Sequence, residues 1–252
     1  MTSSTERFTS RVETYAKYRP GYPAAVIELL CSECGLTPTA LVADVGSGTG
    51  ILSELLLKNG STVIGVEPNQ AMRVAAENLL RDYSKFQSVN GAAEATTLPA
   101  ASVNLITAGQ AFHWFDAAAA RKEFVRILKP EGFVALIWND RILDATEFLR
   151  DYERLLRKYG TDYAKVQEFD PRAQITQFFA PQEFKYKEFP NRQEFGFEGF
   201  KGRVLSASYT PEPGNPNFEP MLKALQQLFD SHERNGMVAF DYETRVFYGR
   251  LS

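Results

Sequence analysis

The chain has 252 residues and a formal net charge of −3, with 28 Lys and Arg against 31 Asp and Glu. That balance, with no long Lys/Arg cluster in any window, argues against a nucleic-acid partner. No stretch approaches the ~18 consecutive apolar residues of a membrane span, and MTSSTERFTS lacks the apolar segment of a leader, so the expectation is a cytoplasmic protein built on one large α/β core, without a membrane partner. The sequence leaves oligomeric state open.

In the N-terminal segment, Phe8, Val12 and Tyr15 fall at i, i+4 and i+7, one face of a helix. Such a helix can lie across a cleft as a lid or pack as an ordinary amphipathic helix. Pro23 opens the next helix, with Val26, Leu29 and Leu30 toward the core and Gly35 as its stop. The two cysteines, Cys31 and Cys34, lie at its end. A CxxC pair can bind zinc or do redox chemistry, but zinc needs two more ligands, and the two histidines, His113 and His232, are not spaced as a ligand pair. No metal site is expected.

Residues 41 to 50, LVADVGSGTG, join a buried-strand pattern to a helix that begins at Ile51. Gly46 allows a sharp turn out of the strand, Gly48 lets backbone approach a ligand, and Gly50 lets the helix pack closely. The spacing is GxGxG rather than the GxGxxG of nicotinamide-binding proteins, and no lysine follows as in a phosphate-binding loop. Strand two, STVIGVEPN, ends at Glu67, which Pro68 biases to an extended conformation. An acid there can accept from both hydroxyls of a ribose. Asn69 caps the next helix. FQSVN, SVNLITAG and GFVALIWND read as strands three to five, and the helix between the last two starts at Asp116 and stops before Pro130. This alternation predicts a doubly wound, mostly parallel sheet with helices on both faces.

Beyond residue 140 the pattern changes. ATEFLRDYERLLRKYG reads as a helix, FKYKEFPNRQEFGF as a strand, TPEPGNPNFEP as a loop, PMLKALQQLFDSHERNG as a helix and ETRVFYGRL as a final strand. The two strands would extend the sheet to seven, and the helices would cover its carboxyl edge.

VADVGSGTG, VIGVEPN, GAAEATTLP, QAFHWFD and RILKPEGFVALIW, in this order, resemble class I S-adenosylmethionine-dependent methyltransferases over about residues 8 to 140. YAKYRPGYP and AFHWFD are similar to the small-molecule branch that includes trans-aconitate methyltransferases. The resemblance implies a Rossmann-like methyltransferase fold in a single domain spanning 1–252. Residues 1–22 would form the lid, 23–140 the cofactor-binding core, and 141–252 the cap helices and edge strands. It further implies S-adenosylmethionine as cofactor, with Asp44, Gly46, Gly48 and Gly50 at its methionine part, Glu67 at the ribose, Asn69 and Met72 beside the adenine, and Ala93 and Glu94 at the adenine edge. Many relatives carry an aspartate where Ala92 stands, which makes Glu94 the candidate acceptor for the adenine amine. Relatives also carry an aspartate at Asn104, a position read as structural.

In the lid, Arg19 could grip the cofactor's carboxylate. Tyr15, on the cofactor side, or Tyr18, on the acceptor side, offers an aromatic face or hydroxyl near the sulfonium. Gln110, His113 and Trp114 follow strand four at the ligand edge, Gln110 toward the cofactor and the other two toward a small-molecule acceptor. Trp138 and Arg141 follow strand five, and Arg141 or Arg203 could bind an acidic acceptor. Methyl transfer is an in-line displacement in which positioning and desolvation dominate. A carboxylate acceptor needs no base; a phenol, amine or carbon acceptor could use His113 as catalytic base. His113 could equally be a partly buried imidazole bonded to backbone. Two rivals remain on the same sheet: an NAD-dependent oxidoreductase and a non-catalytic cofactor-binding module.

Overall fold

The structure, a computed structural model, describes Val12, residues 17–161, Tyr163 and residues 171–251. Five strands run parallel: β1 (Leu41–Val45), β2 (Thr62–Val66), β3 (Phe86–Val89), β4 (Val103–Gly109) and β5 (Leu128–Arg141). β1 and β2 are buried along nearly their whole length, as strands covered on both faces must be. Two further strands, β6 (Phe184–Phe195) and β7 (Val238–Gly249), run antiparallel at one edge, giving a seven-stranded sheet in the order β3-β2-β1-β4-β5-β7-β6. The order reverses between β1 and β4, the switch point where open α/β sheets bind ligands beyond their carboxyl ends.

The strand pleat divides the core. Val42, Val63, Leu105 and Ile137 face one layer with Leu30 and Leu56; Ala43, Ile64, Ile106 and Leu136 face the other with Phe124 and Phe178. A third cluster lies outside these layers, where Phe148, Tyr152, Phe200, Leu225 and Phe229 gather on Phe240 and Tyr242. Its foundation is the length of the β6–β7 ribbon. β7 pairs with β5 only from Tyr242 to Gly249, whereas its first residues, Val238 to Asp241, pair with β6 alone. That overhang carries helices Glu147–Tyr159, Phe197–Leu205 and Phe218–His232 as a cap over the sheet's carboxyl edge.

The helix starts follow their caps. Asn69 Oδ1 accepts from the amides of Ala71 and Met72 at 2.9 and 3.2 Å, and Asp116 Oδ1 from those of Ala118 and Ala119, both at 3.1 Å. The helix opened by Pro23 spans Ala24–Glu33 with Val26, Leu29 and Leu30 buried, and Gly35 follows at φ +66°. Cys31 is exposed and Cys34 buried, its thiol pushed up to about 12 by burial. Asn104 accepts from the Leu41 amide and from Lys129 Nζ, both at 3.0 Å, a structural post between β1 and the start of β5.

Two features differ from the sequence reading. β5 begins at Leu128 rather than at Gly132; Leu128 pairs with Val103, and the register then shifts before Leu105 meets Phe133. Pro130, which has no N–H to donate, sits in that interruption. Helices Arg172–Phe179 and Phe197–Leu205 were not expected, and neither has a side chain capping its first turn. Among the described residues, no helix is long and apolar enough to cross a membrane, and no group of three or more His, Cys, Asp or Glu could hold a metal.

Candidate functional site

At the switch point a cleft of about 1070 Å³ opens between the glycine loop, the ends of β4 and β5, and the cap. The three glycines of the loop act differently. A Cβ on Gly46 would stand 2.6 Å from the Cβ of Ala111, so the loop passes too close to the β4 end for any other residue. Gly48, at φ +54°, has nothing within 4 Å of where its Cβ would be: the space left open is the cleft itself. Gly50 does not line the cleft. Its Cβ would meet Leu80 Cδ1 at 2.9 Å, and its part is to let helix Ile51–Lys58 lie against the turn after Gln70–Leu79.

Two carboxylates flank the loop. Asp44 is fully buried, its oxygens accepting from Ser53 Oγ at 2.6 Å and Thr107 Oγ1 at 3.0 Å. Burial outweighs those bonds and pushes its pKa up to about 6. Glu67 is 8% exposed and held on both sides, Oε1 accepting from the Asn69 amide at 2.9 Å and Oε2 from the Gly48 amide at 3.1 Å. Burial raises its pKa, with these two amides and Arg73 working against that rise. Asn69, Met72 and Ala93 close the buried side of this half. Glu94 also lines it, with Oε1 already accepting from the Asp116 amide at 2.8 Å.

The other half is aromatic and basic. Gln110 follows β4 at φ +56° and donates through Nε2 to the carbonyl of Asn139 at 2.9 Å. His113 and Trp114 follow on a short 3₁₀ turn, their rings 4.9 Å apart; Trp114 is 45% exposed, while burial lowers His113 to about 4. Trp138 and Arg141 come from the end of β5, and Arg203 from helix Phe197–Leu205. Arg141 Nη2 donates to Glu153 Oε2 at 2.8 Å and Tyr163 Oη at 2.6 Å. Tyr209, Tyr242 and Arg245 also line this half.

Residues 19–22 close one side. Asn139 Nδ2 and Asn191 Nδ2 both donate to the carbonyl of Gly21, at 3.1 and 2.8 Å, and Asn139 Oδ1 accepts from Thr244 and Asn191. Arg19 lines the cleft and donates through Nη2 to the carbonyl of Ser206 at 3.0 Å. Tyr18 does not line it; its ring lies over Gly202, where any Cβ would collide with it, and edge-on to Phe195. Tyr15 lies outside the described residues, as do Phe8 and most of the expected lid helix.

The cleft therefore brings together Arg19, Asp44, Gly46, Gly48, Glu67, Asn69, Met72, Ala93, Glu94 and Gln110 with His113, Trp114, Trp138, Arg141 and Arg203. Sequence reasoning passed over Tyr22, Tyr209, Tyr242 and Arg245, which line it too. The alternation in VAFDYETRVFY, continuous from Val238, was a signal that the final strand reaches back to Tyr242.

Residues 43–136 match the sequence profile of a methyltransferase domain. An uncharacterized methyltransferase of Schizosaccharomyces pombe is 29% identical over 196 residues, 76% of this chain and 74% of that protein. An uncharacterized methyltransferase of Mycobacterium bovis is 34% identical over 134 residues, 53% of this chain and 52% of that protein, so the match spans about half of that relative's length. Among solved structures, a candidate type II methyltransferase from Anaeromyxobacter dehalogenans has a TM-score of 0.68 and 24% identity, with 93% of this chain and 98% of that chain covered. At that identity the likeness is one of fold.

Proposed function

We propose that this chain, a class I S-adenosylmethionine-dependent methyltransferase, methylates a carboxylate oxygen of a small acid. The observation that carries this reading is the polarity of one continuous cleft, with the carboxylates of Asp44 and Glu67 in one half and the guanidinium groups of Arg141 and Arg203 in the other. The first half suits a cationic, hydroxyl-bearing cofactor and the second an anionic acceptor.

The residues present fit the cofactor. The open space beside Gly48 is where a Cβ would exclude it, and two acids stand ready in a buried setting. Asp44, Gly46 and Gly48 would hold the methionine part, Glu67 the ribose hydroxyls, and Asn69, Met72, Ala93 and Glu94 the adenine. When bound, S-adenosylmethionine supplies an electrophilic methyl group on a positively charged sulfur. Arg19 and Gln110 would orient it. Residues 1–22 then form the lid, 23–140 the cofactor core and 141–252 the cap and edge strands of a single domain, a reading supported by the seating of Tyr18 on Gly202 and of Arg19 on Ser206.

His113 supports an acceptor that is already ionised. An imidazole held near 4 is neutral at pH 7 and too weak a base to take a proton from a phenol or ammonium efficiently, whereas a carboxylate arrives without a proton to lose. The acceptor face is formed by Trp114, Trp138, Arg141 and Arg203, whose part is to aim one oxygen along the axis of transfer and exclude water.

The test uses the base lability of methyl esters. Full-length protein is incubated with methyl-labelled cofactor and a pool of small carboxylic acids, treated with alkali, and assayed for volatile labelled methanol. Volatile label is the expected result. Label that enters product and stays non-volatile rejects the carboxylate reading and returns His113 to the role of base.

A further inference from the structure

The arginines of the acceptor half are not equivalent. Arg141 is matched by Glu153, and Arg245 by Asp140 at 3.0 Å and Glu243 at 2.9 Å. Arg203 is 4% exposed and, among the described residues, takes part in no ion pair. Its Nε donates to Tyr242 Oη at 3.1 Å, and that hydroxyl donates onward to Gln193 Oε1 at 3.1 Å. The guanidinium carbon stands 5.9 Å from the ring centre of Phe240 and 6.0 Å from that of Tyr242. Nη1 is buried with no hydrogen-bond partner, although Arg203 lines the cleft.

A guanidinium cannot discard its proton near neutral pH, so burial without a counter-ion is costly and the aromatic faces offset only part of that cost. Resting on the acidic acceptor proposed above, we infer that Arg203, held in place by Tyr242, is an oxyanion subsite that anchors a group of the acceptor other than the one methylated. Transfer forms a carbon–oxygen bond as the carbon–sulfur bond breaks, the electron pair remains on sulfur, and the attacking carboxylate becomes a neutral ester. A fork-like pair from Arg203 to that same carboxylate would draw charge from the attacking oxygen and lose its counter-ion in the product. Held on a second anionic group, carboxylate or phosphate, Arg203 stays matched before and after transfer and leaves the attacking lone pairs free. The acceptor then carries at least two anionic groups.

The experiment measures thermal unfolding of the full chain in sodium chloride, acetate and phosphate at equal ionic strength, for wild type, R203M and R203K. Acetate or phosphate is expected to raise the wild-type midpoint by about 2 °C or more beyond its effect on R203M, with R203K between them. The larger of the two shifts identifies the oxyanion. In chloride, R203M is expected to be at least as stable as wild type, because a buried uncompensated charge is gone. Equal anion shifts in wild type and R203M overturn the proposal. If R203M does not fold, an anion shift in R203K as large as in wild type overturns it and a smaller one supports it. S-adenosylhomocysteine affinity within about twofold of wild type in R203M places the defect outside the cofactor half. An Arg203-dependent anion shift without volatile methanol from any acid leaves the subsite standing and removes the carboxylate reading. Volatile methanol with an unchanged KM in R203M does the reverse.

Discussion

The two halves of the cleft are built by different means. The half proposed for the cofactor is made largely of main-chain parts: a glycine loop, the ends of adjacent parallel strands, and backbone amides that hold Glu67 in place. The acceptor half is made of side chains from helices and an antiparallel ribbon far apart in the chain, such as Arg203 and Tyr242, 39 residues apart, or Arg141 and Tyr163, 22 apart. The first arrangement would fix one ligand through main-chain geometry; the second can be changed residue by residue while the sheet stays intact. That contrast accounts for one cofactor shared by enzymes with many acceptors.

The sharpest way to break the comparison is Gly48→Val. A Cβ there finds no protein atom within 4 Å and starts a side chain into the space proposed for the ligand, at a φ of +54° that a β-branched residue resists. The expected loss of S-adenosylhomocysteine affinity by calorimetry is on the order of a hundredfold or more, with the far-ultraviolet circular dichroism of the wild type; undiminished affinity would mean the cofactor lies elsewhere. Glu67→Ala comes next. Removing a charged acceptor from a nearly dry site weakens the same binding by about 1–3 kcal/mol, and unchanged affinity would remove Glu67 from the ribose.

Acidity sharpens the comparison further. Asp44 has a folded pKa of about 6, above the 3.8 of an ordinary aspartate, so its proton is favoured by the fold, and its contribution to stability falls as pH rises through that window. A cationic cofactor favours the ionised form, which reverses the sign for binding. Affinity is expected to rise about tenfold from pH 5 to pH 7.5 and level off above. Asp44→Asn should flatten that profile; a profile unchanged in the variant assigns the proton to another group.

The smallest effect is expected in the acceptor half. His113, held near 4, stays neutral from pH 6 to 8. Replacing it by Gln should change kcat by a few-fold at most and leave the shape of the pH profile over that range unaltered. A loss of a hundredfold or more, or a new inflection near neutrality, would make it a base after all.

What the sequence revealed follows the same division. β1, β2 and β4, the caps Asn69 and Asp116, and the open glycine at position 48 are local signals: a buried apolar run, a side chain that satisfies its own helix start, a residue without a Cβ. The seven-stranded, mostly parallel sheet followed from them. Helices Arg172–Phe179 and Phe197–Leu205 were obscure because they are short and uncapped, and their helical state depends on burying Ile175, Phe178, Phe200 and Val204 against distant elements. Tyr18 and Gly50 sit beside the cleft rather than in it, because each packs against a partner remote in sequence, Gly202 for one and Leu80 for the other. Tyr242 and Arg245 needed the antiparallel register of β7 to be placed at all.

If Glu67 is the ribose acceptor proposed above, the two amides that hold it bear on the speed and selectivity of cofactor capture. A free glutamate side chain samples many rotamers, and freezing one at the moment of binding costs up to about 2 kcal/mol. Here Gly48 and Asn69 have already chosen the rotamer, each occupying one oxygen and leaving further lone pairs in a fixed direction. The incoming ligand meets a template instead of a moving group, so its hydroxyls are measured against a set spacing. A sugar lacking one of those hydroxyls finds no rearrangement available to compensate, and dissociates faster for that reason.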